Sequence, residues 1–227
     1  MPLPDFMLPE THTLDPTKSV SSSRIGFVLP RGYRPEKQIL SQWCWAAVTS
    51  FVARIWQGRT LAQCEVAKAC AEHWGRFNGE TTFCPPAGQL PPESLDKPLP
   101  IQEPLSCLFA NPAASKPDYK AIPKDGIDDD IRKELASLLN GISKAPVPLR
   151  IAWNSDDNHF VCIFAMSGTD SNTNYHLFDP AHDYDSGDDG DDVYILPEAD
   201  VNSFTSTDPS GDRHTGKPKT YMILRQP

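Results

Sequence analysis

Cys44 opens the apolar run Cys44-Trp45-Ala46-Ala47-Val48, in a chain that also carries six histidines. A cysteine acts as a nucleophile through its thiolate. A free thiol, with a pKa near ~8.5, is only a few per cent ionised at pH 7, so it depends on a positive helix end and a neighbouring imidazolium. The residues from about Gln42 to Trp56 are apolar or small nearly all round, which predicts a buried helix ending at Gly58. Cys44 then stands at that helix's electropositive start. Among the histidines at 13, 73, 159, 176, 182 and 214, His159 is distinctive. It follows the polar turn Asn154-Ser155-Asp156-Asp157-Asn158 and opens the apolar strand Phe160–Met166. A strand edge beside a loop is rigid yet reachable. The next strand runs into Phe178-Asp179-Pro180. If the two strands are neighbours, Asp179 fixes the tautomer and orientation of the His159 ring.

The segment Gln38-Ile39-Leu40-Ser41-Gln42-Trp43-Cys44-Trp45-Ala46-Ala47 resembles the active-site segment of papain-like cysteine peptidases. It is similar above all to the bacterial branch with a "WCWAA"-type motif, which includes type III effector proteases. His159-Phe160-Val161-Cys162 resembles that family's histidine strand, Asp179-Pro180 its later aspartate, and Pro146-Val147 the strand that precedes the histidine. The resemblance spans roughly residues 33–225. It implies a papain-like two-lobe fold, α+β in class, and hydrolysis of peptide bonds through a thioester acyl-enzyme. In that scheme Cys44 is the nucleophile, His159 its base and acid, Asp179 the residue that orients His159, and Gln38 a donor to the oxyanion. It requires no cofactor and implies a protein or peptide substrate. Two features depart from the family: Gln42-Trp43 replaces the Gly-Ser-type residues before the cysteine, and an acidic run, Asp183 to Asp192, follows Asp179. Two other functions use the same residues: acyl transfer or deamidation on protein side chains, and an inactive papain-like binding module.

Plainer roles compete for the neighbouring residues. Gln42 is the rival glutamine, and a helix-start role suits it better. Cys162 sits inside an apolar strand and reads as core. Trp43 and Trp45 line a substrate cleft or pack the start of the helix, and Asn158 is a candidate for substrate contact beside His159. Cys64, Cys70, His73 and Cys84 lack the Cys-x₂₋₄-Cys recurrence of zinc sites. The acidic run lacks the ligand order of a calcium loop. No metal is expected.

The elements that must position these residues follow from the rest of the chain. Most of the 23 prolines lie between Pro2 and Pro35 and between Pro85 and Pro123, where extended or irregular backbone is expected. Residues 1–30 read as an extended or disordered arm and 31–227 as one peptidase domain. A helical lobe covers about 31–126 and an antiparallel sheet lobe about 127–227. Further helices are expected at Leu61–Trp74, capped by Thr60, and at Asp129–Leu139, with one short helix near Glu93. Strands are expected at Val147–Trp153, Phe160–Met166, Tyr175–Phe178, Val193–Leu196 and Thr220–Leu224. A net charge of −9 argues against nucleic acid as a partner, and no apolar run reaches a membrane span. A monomer is expected. So is a cytoplasmic location, or export as an effector without a standard signal peptide. With Cys44 set aside, five cysteines remain, an odd number that disfavours a full disulfide framework and suits a reducing compartment. One or two bridges among Cys64, Cys70, Cys84 and Cys107 stay open.

Overall fold

The computed structural model describes residues 24–29, 33–77, 79–109, 118–141, 144–153, 157–169, 172–182, 194–207 and 213–225. Most of the expected arm and the whole acidic run from Asp183 to Asp192 lie outside the described residues.

The chain is α+β. Helices come first: α1 (Cys44–Gln57), α2 (Gln63–Trp74), a single 3-10 turn at Glu93–Leu95 and α3 (Gln102–Phe109). α1 ends on Gly58, whose φ of 67° is left-handed and open to glycine at no steric cost. α2 starts two residues later than expected. Its first turn is closed by Glu65, which accepts the Ala62 N–H at 2.8 Å, and not by Thr60. α4 (Asp129–Asn140) is capped by the Asp128 carboxylate, which accepts Ile131 N–H at 2.9 Å. α5 (Glu198–Asn202) is a short helix between two strands.

Among the described residues, eight antiparallel strands form one sheet: β1 (Ile25–Gly26), β2 (Asp118–Pro123), β3 (Val147–Trp153), β4 (Asn158–Thr169), β5 (Asn172–Phe178), β6 (Tyr194–Pro197), β7 (Phe204–Thr207) and β8 (Arg213–Arg225). The main order is β2-β8-β3-β4-β5-β6, with β1 paired to β4 and β7 to β8. β1 brings the end of the arm onto the sheet. Its Gly26 lies so close to β4 that a Cβ there would stand 2.4 Å from the Phe164 carbonyl oxygen. β2 joins the sheet from the Pro-rich part of the chain, so strand structure begins before residue 127.

The sheet is covered on both faces. Strand side chains alternate between faces, so Phe160, Cys162 and Phe164 of β4 join the α1–α3 core, while Val161 and Ile163 join the α4 core. A register shift between Ile163 and Ala165 then places Phe164 and Ala165 on the same side. Phe51 of α1 stacks on Phe178 at 4.5 Å and meets Phe164 edge-on at 5.5 Å, which seats the helix against β4 and β5. A disulfide joins Cys64 of α2 to Cys84. Closing a loop of that length stabilises the fold by about 3 kcal/mol in the chain-entropy picture. The Cys107 side chain lies outside the described residues.

Candidate active site

Cys44 is the first residue of α1, so its backbone N–H has no acceptor within the helix. The turn before it is fixed from a distance. The Asp96 carboxylate accepts Ser41 Oγ–H at 2.6 Å and Gln42 N–H at 2.7 Å. Trp43 Nε1 donates to the Leu95 carbonyl at 2.8 Å, and Trp45 Nε1 to that of Lys97 at 3.1 Å. Both indoles are fully buried. Trp43 therefore packs the helix start, one of the two roles open to it. Trp45 backs the cleft wall from within.

β4 and β5 are antiparallel neighbours, and the pairing of Cys162 with Phe178 carries Asp179 back toward His159. His159 Nε2 and Asp179 Oδ1 are 2.6 Å apart. The same oxygen accepts Ala181 N–H at 2.9 Å, and Oδ2 accepts Ser206 Oγ–H at 2.5 Å. With Nε2 held by the carboxylate, Nδ1 is the ring nitrogen left for the Cys44 sulfur, which acts on the imidazole electrostatically. Trp153 stacks on the ring at 5.4 Å and 17°. Cys44, His159 and Asp179 thus lie together, with His159 hydrogen-bonded to Asp179, and are 7%, 6% and 1% exposed.

Burial alone works against a charged imidazole, but the Asp179 carboxylate, its hydrogen bond and the Cys44 sulfur outweigh it and raise the His159 pKa to about 10. For Asp179 burial again opposes ionisation. The facing His159, with hydrogen bonds from His159, Ser206 and the Ala181 N–H, outweighs burial and lowers its pKa. The ring is therefore held in its cationic form beside the thiol at neutral pH.

Gln38 is tied to the site by its own N–H, which donates to the Pro180 carbonyl at 2.8 Å. Its side-chain Nε2 donates to Ser41 O at 2.6 Å and Leu40 O at 3.1 Å, while Oε1 is buried without a partner among the described residues. These two carbonyls fix the amide orientation, because turning it over would set oxygen against oxygen. An oxyanion donor at Gln38 would have to release one of the two bonds, the longer one to Leu40 at the smaller cost.

A cleft of about 570 Å³ opens at Cys44. Gln42, Pro98, Leu99 and Gln102 border it on the helical side, and Arg150, Asn158, Phe160, Thr220 and Met222 on the sheet side. Asn158, the candidate for substrate contact, is among the residues that border the cleft. Asp96, Trp153 and Ser206 also build the site, and sequence reasoning did not single them out. Asp96 and Ser206 come from distant segments, and Trp153 stacks on His159 from the adjoining strand β3, with no local motif to mark any of them. Among the described residues no cluster of three His, Cys, Asp or Glu side chains is placed to hold a metal, and no helix is long and apolar enough to cross a membrane.

Set against models of known protein families, the chain matches none. Curated proteins likewise give no match.

Proposed function

We propose that this protein is a cysteine peptidase with a papain-like two-lobed fold, α1–α3 forming one lobe and the sheet the other, and that its active site is Cys44, His159 and Asp179. The observation that carries this reading is the buried hydrogen bond between the His159 imidazole and the Asp179 carboxylate, set beside a helix-start thiol that lines a cleft. The Cys44 thiolate attacks a peptide carbonyl. The His159 imidazolium protonates the leaving amine, and neutral His159 then takes a proton from the water that hydrolyses the thioester. Asp179 holds the ring in place and stabilises its charged form. The Cys44 backbone N–H and the Gln38 amide are the donors for the oxyanion. The substrate is a protein or peptide, and the protein acts as a monomer. The Cys64–Cys84 bridge supports the exported alternative over the cytoplasmic one, since disulfides persist in oxidising surroundings.

The reading is tested by incubating wild type and Cys44→Ala with a mixture of peptides and sequencing the products by mass spectrometry. Backbone cuts by the wild type alone are expected. Equal cutting by both would overturn the assignment. Products with altered side chains and intact backbones would redirect it to acyl transfer or deamidation by the same residues.

A further inference from the structure

Arg150 stands in the middle of β3, opposite Phe160 of β4 and Thr220 of β8. Directly paired residues share a sheet face, and all three line the cleft at Cys44. The sheet wall around them is largely apolar, with Ala121, Pro123 and Met222. A guanidinium stays charged at any working pH and carries five donors. Yet Arg150 Nε is shut off from solvent with no hydrogen-bond partner among the described residues. The contrast with Arg132 is plain: that arginine lies between Asp129 and Glu198, at 2.5 and 2.9 Å. Among the described residues no carboxylate makes an ion pair with Arg150. Asp157 also lines the cleft but is exposed to solvent. A cation kept partly out of water without a counter-charge costs free energy, which an arriving anion offsets.

We propose that Arg150 holds a carboxylate of the substrate, so that the protein prefers peptides with a glutamate or aspartate side chain beside the bond it cuts. The guanidinium fork matches a carboxylate in shape and charge. The apolar wall takes the methylenes of the acidic side chain, and Pro98, Leu99 and Pro100 close over it from the helical side. This inference rests on the cysteine-peptidase reading.

The test uses a mixture of C-terminally amidated peptides, whose only carboxylates are side chains. Wild type is expected to enrich Glu or Asp at one fixed position relative to the cut. In Arg150→Gln the ratio of acidic to neutral cleavage should fall about 10- to 100-fold, the range of one charge-assisted contact. Arg150→Glu should turn the preference toward Lys and Arg. Cleavage with no acidic preference, or a preference unchanged in Arg150→Gln, overturns the inference and leaves the peptidase reading standing. A second readout needs no peptide cleavage: the rate of Cys44 alkylation by anionic iodoacetate divided by that by neutral iodoacetamide. The ratio should be several-fold higher in wild type and Arg150→Lys than in Arg150→Gln, by electrostatic attraction into the cleft. Equal ratios in all three count against Arg150, whereas a Cys44 inert to both reagents counts against the peptidase reading itself.

Discussion

His159 and His176 stand on neighbouring strands of one sheet and are almost equally buried, at 6% and 5% exposure. Their protonation is pushed in opposite directions. His159 faces a buried carboxylate and its pKa rises to about 10. His176 meets the Ser167 hydroxyl through Nε2 at 2.9 Å and keeps a buried Nδ1 without a partner among the described residues. Burial, with the Arg24 charge adding to it, drives its pKa down to about 4. Burial by itself neutralises a histidine. Burial beside an ionised acid charges it. The second arrangement, next to a thiol, is the one the proposed mechanism uses.

The largest break of this contrast is His159→Ala, which removes the proton carrier altogether. Peptide cleavage, read as kcat/KM, should fall at least ~10³-fold, beyond what positioning alone retains. Asp179→Asn comes next. It keeps the shape but removes the charge, so kcat should fall about 10²- to 10⁴-fold, and the His159 ring should titrate lower when followed by NMR. A ring titrating as in wild type would separate Asp179 from the raised pKa. Ser206→Ala takes one hydrogen bond from the Asp179 carboxylate and should cost about 1.5–3 kcal/mol in denaturant unfolding. A variant as stable as wild type would mean that the bond adds nothing to the fold.

A further effect is on stability against pH. Between about 4 and 6.5 the unfolded chain binds more protons at His176 than the folded chain, so stability rises with pH there, by up to about 1.4 kcal/mol per unit. Between 6.5 and about 10 the folded chain binds more at His159, so that contribution is lost as pH climbs. Asp179, with its pKa lowered, stabilises above 3.8, and this is lost as pH falls through its folded value. His176→Gln should flatten the acid side of the curve and leave the alkaline side as it was. An acid slope unchanged in that variant would contradict the assignment to His176.

The parts of the molecule that announce themselves locally were legible in the sequence. The run from about Gln42 to Trp56 with its glycine stop marked α1, which spans Cys44–Gln57, and Val147–Trp153 matched β3 to the residue. Cys44, His159 and Asp179 could be named because each sits at the boundary of such an element. What stayed hidden is set by distant contacts. α3 carries Pro104 in a Pro-rich region, where its first turn tolerates a missing donor but composition says loop. The first half of β8, Arg213 to Lys219, is polar and contains Pro218. It is a strand because β7 and β3 pair with it. Ser206 reaches Asp179 across 27 residues of sequence, and Asp96 fixes the turn before Cys44 from 54 and 55 residues away. No spacing rule reaches that far.

The most direct test of the central claim is the pH dependence of Cys44 alkylation by iodoacetamide, in wild type and in His159→Asn, with the modified residue identified by mass spectrometry. The thiolate–imidazolium pair predicts that wild-type Cys44 reacts at pH 6, where an isolated thiol is almost wholly protonated, and that His159→Asn reacts only as the pH climbs toward the ordinary thiol range. Identical profiles for the two proteins, or a Cys44 that stays unmodified in the folded wild type, would contradict the account.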